Sequence, residues 1–488
     1  MPHAKTTPKL WKRMTFDRDI ESFIKNYVKA LKEKNAVVFA GAGMSVSQGF
    51  FDWKKLLKPI ADKLGLDINE EQHDLTALAQ FFVDDHGGVR GELDQILVEE
   101  YGKSNLEVSN NHRILARLPI QIYWTTNYDR LIEKALLEEG KTPDIKKAQS
   151  DLTVNLPKRD AIIYKMHGDI ETVSETVLTK HEYEDYNKKR ELFSNAFKSD
   201  YVSRTFLFIG FSFTDPNLDY LISRIRTTLG QNIKPDYYFI KKESIVRNQR
   251  RQELRANSLK KYGLNPLWIN DYSEITLILN EIESRFLRTT ILISGSAEEY
   301  GSFGEFRAIE LLHDLSKSLS KNSYKVLTGF GWGVGSAVIN GVLENMESER
   351  NQNLDNYLIM RPFPQFETKG KNLKELWNEY RKKFIPLAGI AIYVFGNRKN
   401  KTTGEIEEAT GVIDEFEIAI QNGLLVIPIG ATGFVAKTLW EKVMGSFNKF
   451  YPNHGFLIEE FKLIGDQTME NSKIIEAILK IINNLNSK

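Results

Sequence analysis

At 488 residues the chain exceeds one ordinary hydrophobic core and suits two or three domains. Its 41% hydrophobic and 27% charged residues are those of a globular protein, and 66 basic against 65 acidic side chains leave a net charge of +1 that asks for neither nucleic acid nor membrane. There is no cysteine, which excludes disulfides, thiolate nucleophiles and cysteine-ligated zinc; no metal is expected, and the composition fits a cytoplasmic protein.

Residues 1–17 are basic, lack an apolar signal-peptide core, and read as an N-terminal arm. No apolar run approaches the ~18–20 residues of a membrane-spanning helix. From there, short β-branched and aromatic runs alternate with segments of helical periodicity, which predicts α/β domains on parallel sheets. Strands are expected at Ala36–Ala40, Gln121–Thr125, Ala161–Lys165, Thr205–Gly210 and Asp236–Ile240. Helices are expected around Arg18–Lys34, Leu75–Asp84, Tyr128–Glu139, Asp215–Leu229 and Val246–Lys261. Residues 50–118 read as mainly helical, a subdomain inserted between the first two strands.

Each strand end carries candidate chemistry. The first strand runs into Gly41-Ala42-Gly43-Met44-Ser45, where glycines either let a phosphate approach the backbone or simply make a tight turn. Thr125-Thr126-Asn127-Tyr128-Asp129 follows the second; Asn127 can donate to and accept from a ribose hydroxyl or cap the next helix, and spacing alone favours a cap for Asp129. Met166-His167-Gly168-Asp169 offers an imidazole that titrates near neutral pH, as a general base or as a structural group. Gly210-Phe211-Ser212-Phe213-Thr214-Asp215-Pro216 offers small and hydroxyl groups, with Asp215 and Pro216 also suited to a helix N-terminus.

Together these segments resemble the sirtuin superfamily over about the first 280 residues. The resemblance implies NAD+ as substrate rather than as a resident cofactor. It places Asn127 and Asp129 at the nicotinamide ribose, with His167 as general base. Gly41, Ala42, Gly43, Ser45, Thr126, Gly210, Ser212 and Asp215 would then form the dinucleotide site. Deacylating sirtuins carry a four-cysteine zinc module that this chain cannot build. Transfer of ADP-ribose to water is therefore the simpler reading, with protein deacylation or ADP-ribosylation, or a non-catalytic nucleotide sensor, as alternatives.

The helix predicted at Ser273–Phe286 leads to a second alternation from Thr289: ILISGSA, YKVLTGFG, NYLIMRPFP, AGIAIYVFGN and GLLVIPIGATG. The expected organisation is thus an arm (1–17), a first Rossmann-like domain (18–284) and a second (285–488). Ser294-Gly295 and the glycine-rich run around Gly331 can wrap a phosphate or ribose. Arg381 and Arg398 can clamp phosphates and Glu415 can accept from ribose hydroxyls, although each alone is also compatible with solvated surface charge. Lys399–Glu408 reads as a mobile loop.

This half resembles the SLOG-type Rossmann-like sensor domains. The combination resembles the NAD-cleaving effectors of the Thoeris anti-phage system over nearly the whole chain, including YWTTNYDRLIEKAL, YKMHGD, GFSFTDPNLDY, RPFPQ and GATG. That resemblance implies a TIR-domain partner protein making a cyclic ADP-ribose isomer. The signal would bind at Ser294, Gly295, Gly331, Arg381, Arg398 and Glu415 and release NAD+ cleavage. Homotetramers or filaments are implied in the same way.

Overall fold

The structure is a computed structural model that describes residues 16–71, 74–102, 107–213, 215–230, 234–348, 353–368, 370–400 and 402–486. Nearly all of the expected N-terminal arm, and Thr214, lie outside the described residues. The chain separates into two compact units, Phe16–Glu283 and Ser284–Lys488.

The first unit is built on strands β1 (Ala36–Ala40), β2 (Ile122–Thr125), β3 (Pro143–Lys146), β4 (Ala161–Lys165), β5 (Thr205–Ile209), β6 (Asp236–Lys241) and β7 (Leu264–Ile269). They lie in the order β3-β4-β2-β1-β5-β6-β7, and every pair is parallel. The central strand β1, AVVFA, is buried at all five positions, as expected of a strand covered on both faces. Chain order reverses between β1 and β5, so the loops leaving those two strands open the crevice where α/β sheets bind ligands.

The two strands not expected from sequence, β3 and β7, are the sheet edges. β3 is short and polar (PDIK) and alternates between half-buried and buried. β7 contains Pro266, which an edge strand tolerates because one side needs no ladder hydrogen bonds. Both lack the continuous apolar signature of the interior strands.

Between β1 and β2 lie helices Trp53–Leu64, Ile68–Glu71, Leu75–Asp85, Gly91–Tyr101 and Asn110–Arg117. Asp52 and Ser109 begin two of them by accepting from the amides of Lys55 and His112. The insertion has its own core, in which Leu57, Ile60, Leu78, Phe82 and Leu97 pack with Tyr128, Leu131 and Leu178. Those last three follow β2 and β4, so the insertion is fastened to the segments that carry the candidate site.

The second unit has strands β8 (Thr290–Ser296), β9 (Lys325–Thr328), β10 (Leu358–Met360), β11 (Ile390–Phe395) and β14 (Leu425–Pro428), parallel in the order β10-β9-β8-β11-β14. Its reversal falls between β8 and β11. The segment expected as a mobile loop instead contributes to an antiparallel hairpin, β12 (Asn397–Lys399) with β13 (Ile406–Glu408), in which Arg398 faces Glu407. The cross-strand ion pair offsets the weak strand propensity of this polar stretch.

Candidate active site and nucleotide cleft

At the β1/β5 crevice three glycines interlock. Gly41 donates its amide to the Ile209 carbonyl and Gly43 donates to the Gly210 carbonyl, both at 2.9 Å. A Cβ on Gly41 would lie 2.4 Å from the Gly210 oxygen, and one on Gly210, whose φ is +67°, would lie 2.2 Å from the Met44 nitrogen. The two loops can therefore approach only as glycine backbone. The helix that begins at Gly43 is a single turn, Gly43–Val46, too short to supply an appreciable dipole at this strand end.

Asn127 sits over this loop. Its amide nitrogen donates to the Gly41 carbonyl and to Ser45 Oγ, both at 3.1 Å, and its backbone amide donates to Thr125 Oγ1 at 2.9 Å. The side-chain oxygen, Oδ1, is buried and makes no hydrogen bond. Ser45 Oγ donates to Asp129 Oδ2 at 2.8 Å, while Asp129 Oδ1 accepts from the Leu131 amide at 3.0 Å. Asp129 thus holds the loop and bonds the first amide of the helix Leu131–Glu138, although the N-cap position expected for it is taken by Arg130, whose side chain makes no cap bond. His112 of the insertion is driven down to about 4 by burial, against the opposing charge of Asp129.

His167 is 1% exposed at the end of β4, the strand beside β2. Its Nε2 makes no hydrogen bond, although Asp215 Oδ2 lies 3.2 Å away. Proximity without alignment reconciles the two observations. Nδ1 lies 3.4 Å from the hydroxyl of Tyr183, which donates to Asp215 Oδ2 at 3.3 Å. Burial lowers the imidazole pKa below its usual 6.5, the Asp215 carboxylate opposes that shift, and the Arg190 cation adds to it. Asp215 also accepts from the Leu218 amide at 2.9 Å and caps the helix Pro216–Leu229, the helix-terminal role its sequence position offered. Thr126 and Ser212 are placed at the ends of β2 and β5.

Beneath this edge Lys165 is fully buried. It lies 2.5 Å from Asp169 Oδ2 and 3.1 Å from Glu133 Oε1 and donates to the Asp129 carbonyl. Burial disfavours its charge, but Glu133 and Asp169 more than offset this and raise its pKa. Asp169 therefore anchors the loop after β4, and Lys165 ties that loop to the one carrying Asn127. Sequence reading missed Lys165, Glu133 and Tyr183. Tyr183 alone had a legible signal: Thr179-x-x-Glu182 is a capping box, and it opens the short helix Lys180–Glu184 that bears Tyr183.

In the second unit Ser294, at the end of β8, donates to Glu415 Oε2 at 2.7 Å, and Arg381 Nε donates to Glu415 Oε1 at 3.2 Å. Arg381 also lies 3.6 Å from Asp414 and 5.1 Å from the centre of the Phe363 ring. Burial pushes the Glu415 carboxyl up, held back by Arg381 and Ser294. Gly331 abuts Gly295, where a Cβ would come 1.9 Å from the Gly295 oxygen. Five of the six expected signal residues thus gather at the β8 end. Arg398 stands apart from the Arg381 cluster, exposed on its hairpin and bonded to Glu407 at 2.8 Å.

These two cores define the class: a sirtuin-like Rossmann unit followed by a SLOG-type Rossmann-like unit. Residues 121–267 match the SIR2-like domain family, and residues 274–485 match the Sir2- and TIR-associating SLOG family. Two of the relatives named NAD(+) hydrolase ThsA match nearly the whole chain. One, from Cytobacillus dafuensis, is 46% identical over 95% of this chain and 96% of its own. The other, from Bacillus cereus (strain MSX-D12), is 44% identical over 95% and 97%. Defense-associated sirtuin 2 of Bacillus subtilis is 25% identical over 48% of this chain and 24% of its own. The chain belongs to the NAD(+) hydrolase ThsA family. Among the described residues no helix is long and apolar enough to cross a membrane.

Proposed function

We propose that the protein hydrolyses NAD+ to nicotinamide and ADP-ribose at the β1/β5 cleft. The observation that carries this reading is a pair of buried, hydrogen-bond-free atoms on adjacent strand ends, Asn127 Oδ1 and His167 Nε2. Leaving a buried polar group unbonded costs about 1–3 kcal/mol, and such groups are tolerated where a substrate supplies the missing partner. The interlocked glycines give the dinucleotide a close approach to backbone, and Ser45 and Asp129 hold Asn127 in place.

In the reaction the C1′–N bond breaks and nicotinamide leaves with the electron pair, so positive charge develops at the ribose C1′, as in glycoside cleavage. Asn127 Oδ1 accepts from a ribose hydroxyl or from the attacking water. Water oxygen bonds to C1′, and its proton passes to His167 Nε2 and then to solvent. A neutral imidazole is required, and burial supplies one by lowering its pKa.

The second unit is the regulatory half of this proposal. A cyclic ADP-ribose isomer, made by a TIR-domain partner protein, binds at Ser294, Gly295, Gly331, Arg381 and Glu415, with Arg398 reaching it from the hairpin. Binding shifts the protein toward its cleaving state, in a homotetramer or filament, and depletes NAD+ during phage infection. The shift requires the signal to bind that state more tightly than the resting one. The test is nicotinamide release by purified protein against a panel of cyclic ADP-ribose isomers, beside Arg381→Ala. Release that depends on one isomer and is lost in the variant supports the reading; release indifferent to every isomer refutes the switch.

A further inference from the structure

His167 has two ring nitrogens, and only one can carry the proton of the neutral base. Which one is set by Tyr183. Its hydroxyl lies between His167 Nδ1 at 3.4 Å and Asp215 Oδ2 at 3.3 Å. A carboxylate can only accept, so the phenolic proton goes to Asp215 and the oxygen's lone pair is left to accept from Nδ1. Burial and the nearby Asp215 charge both push the phenol pKa well above 10, so it keeps that proton.

We propose that Tyr183 is the positioning residue of the hydrolase site, holding His167 as the Nδ1–H tautomer so that the Nε2 lone pair faces the reacting water. Nε2 lies 3.2 Å from Asp215 Oδ2 without the alignment of a hydrogen bond, so that carboxylate does not claim a proton there. When Nε2 takes a proton during the reaction, the same carboxylate stands ready beside the new imidazolium.

Tyr183 is itself anchored from the helical insertion. Arg90, which precedes the helix Gly91–Tyr101, is bonded to Asp94 at 2.6 Å, to the Thr176 carbonyl at 2.7 Å and to the Glu182 carboxylate. The other Glu182 oxygen accepts from the amides of Leu178 and Thr179 at 2.8 Å, closing the capping box that starts the Tyr183 helix. The Tyr183 ring stands edge-on to His167 and to Trp53 at 5.2 and 6.1 Å. A phenylalanine there keeps the packing and removes only the hydroxyl.

The proposal rests on the hydrolase reading, and its test reads the imidazole directly. Full-length protein carrying 15N-labelled histidine is examined by NMR, with the His167 signals assigned through His167→Ala. The expected wild-type pattern is a protonated Nδ1 and an unprotonated Nε2, shifting toward protonated Nε2 in Tyr183→Phe. Nicotinamide release should fall roughly tenfold in kcat with KM within about twofold, a part of the ~10²–10⁴-fold that a general base contributes. An Nε2–H imidazole in the wild type overturns the assignment, whatever Tyr183→Phe does. An unchanged tautomer in that variant overturns the role of Tyr183. Absence of wild-type turnover, with the tautomer as expected, would count against the hydrolase reading and not against the geometry.

Discussion

The two parallel sheets solve the same problem and finish it differently. Each reverses its chain order beside its first strand, between β1 and β5 in one and between β8 and β11 in the other. Each packs glycine against glycine at the end of that first strand, Gly41 on Gly210 from the loop after β5 and Gly331, from the loop after β9, on Gly295. In the first unit the crevice leaves Asn127 Oδ1 and His167 Nε2 buried and without hydrogen bonds. In the second, Ser294, Arg381 and Glu415 satisfy one another. Under the proposed function, the contrast is between a site prepared for chemistry and one prepared for recognition. The former holds reactive atoms in want of a partner, whereas the latter holds a closed ion pair that a charged ligand can reorganise.

The largest effect that can test this contrast is on turnover. His167→Ala should lower kcat by about 10²–10⁴-fold, the usual worth of a general base, measured as nicotinamide release at saturating NAD+. The corresponding change in the second unit should appear in stability as well as in signal-dependent release. Arg381→Ala leaves the buried Glu415 carboxylate without its cation and should cost roughly 3–5 kcal/mol in denaturant unfolding of that unit. Arg381→Ala combined with Glu415→Gln should recover part of the loss. Full stability in the single variant would show that the pair is not the closed element described above.

Smaller effects probe the shared glycine device. Gly41→Ala forces a Cβ into the Gly210 carbonyl and should cost about 1–3 kcal/mol, with weakened NAD+ binding by calorimetry. Gly331→Ala should cost a similar amount and weaken binding of a cyclic ADP-ribose isomer rather than of NAD+. Both variants losing NAD+ affinity equally would erase the distinction between the crevices. The smallest effect is on pH dependence. Because burial lowers the His167 pKa and Asp215 opposes that shift, the acid limb of kcat/KM should lie below pH 6.5. Asp215→Asn removes the opposing charge but keeps a good helix cap. The limb should move to lower pH; movement to higher pH would contradict the electrostatic account.

Much of this was legible in the sequence because interior parallel strands announce themselves. AVVFA, IYWT and TFLFI are continuous apolar runs ending in small or polar residues, and those endings carry Gly41, Asn127 and Gly210. The edge strands β3 and β7 were hidden by their polar residues and by Pro266, since an edge needs neither continuous burial nor a full set of donors. The hairpin carrying Arg398 was hidden by its composition, because its pairing rests on an ion pair across the strands. The site's supporting shell was hidden for another reason. Lys165, Glu133 and Tyr183 are unremarked as single letters, and only the crossing of β2, β4 and the insertion brings them against the residues they hold. Periodicity reveals burial, but it does not reveal which buried charges face each other.

The central claim is that the β1/β5 cleft is where NAD+ is bound and cleaved, with His167 needed for cleavage and not for binding. Calorimetric NAD+ affinity and single-turnover nicotinamide release, measured on wild-type and His167→Ala protein under the same activating conditions, test it most directly. The account predicts affinities within a few-fold of each other, with release all but lost in the variant. A variant that binds NAD+ and releases nicotinamide at the wild-type rate would contradict it.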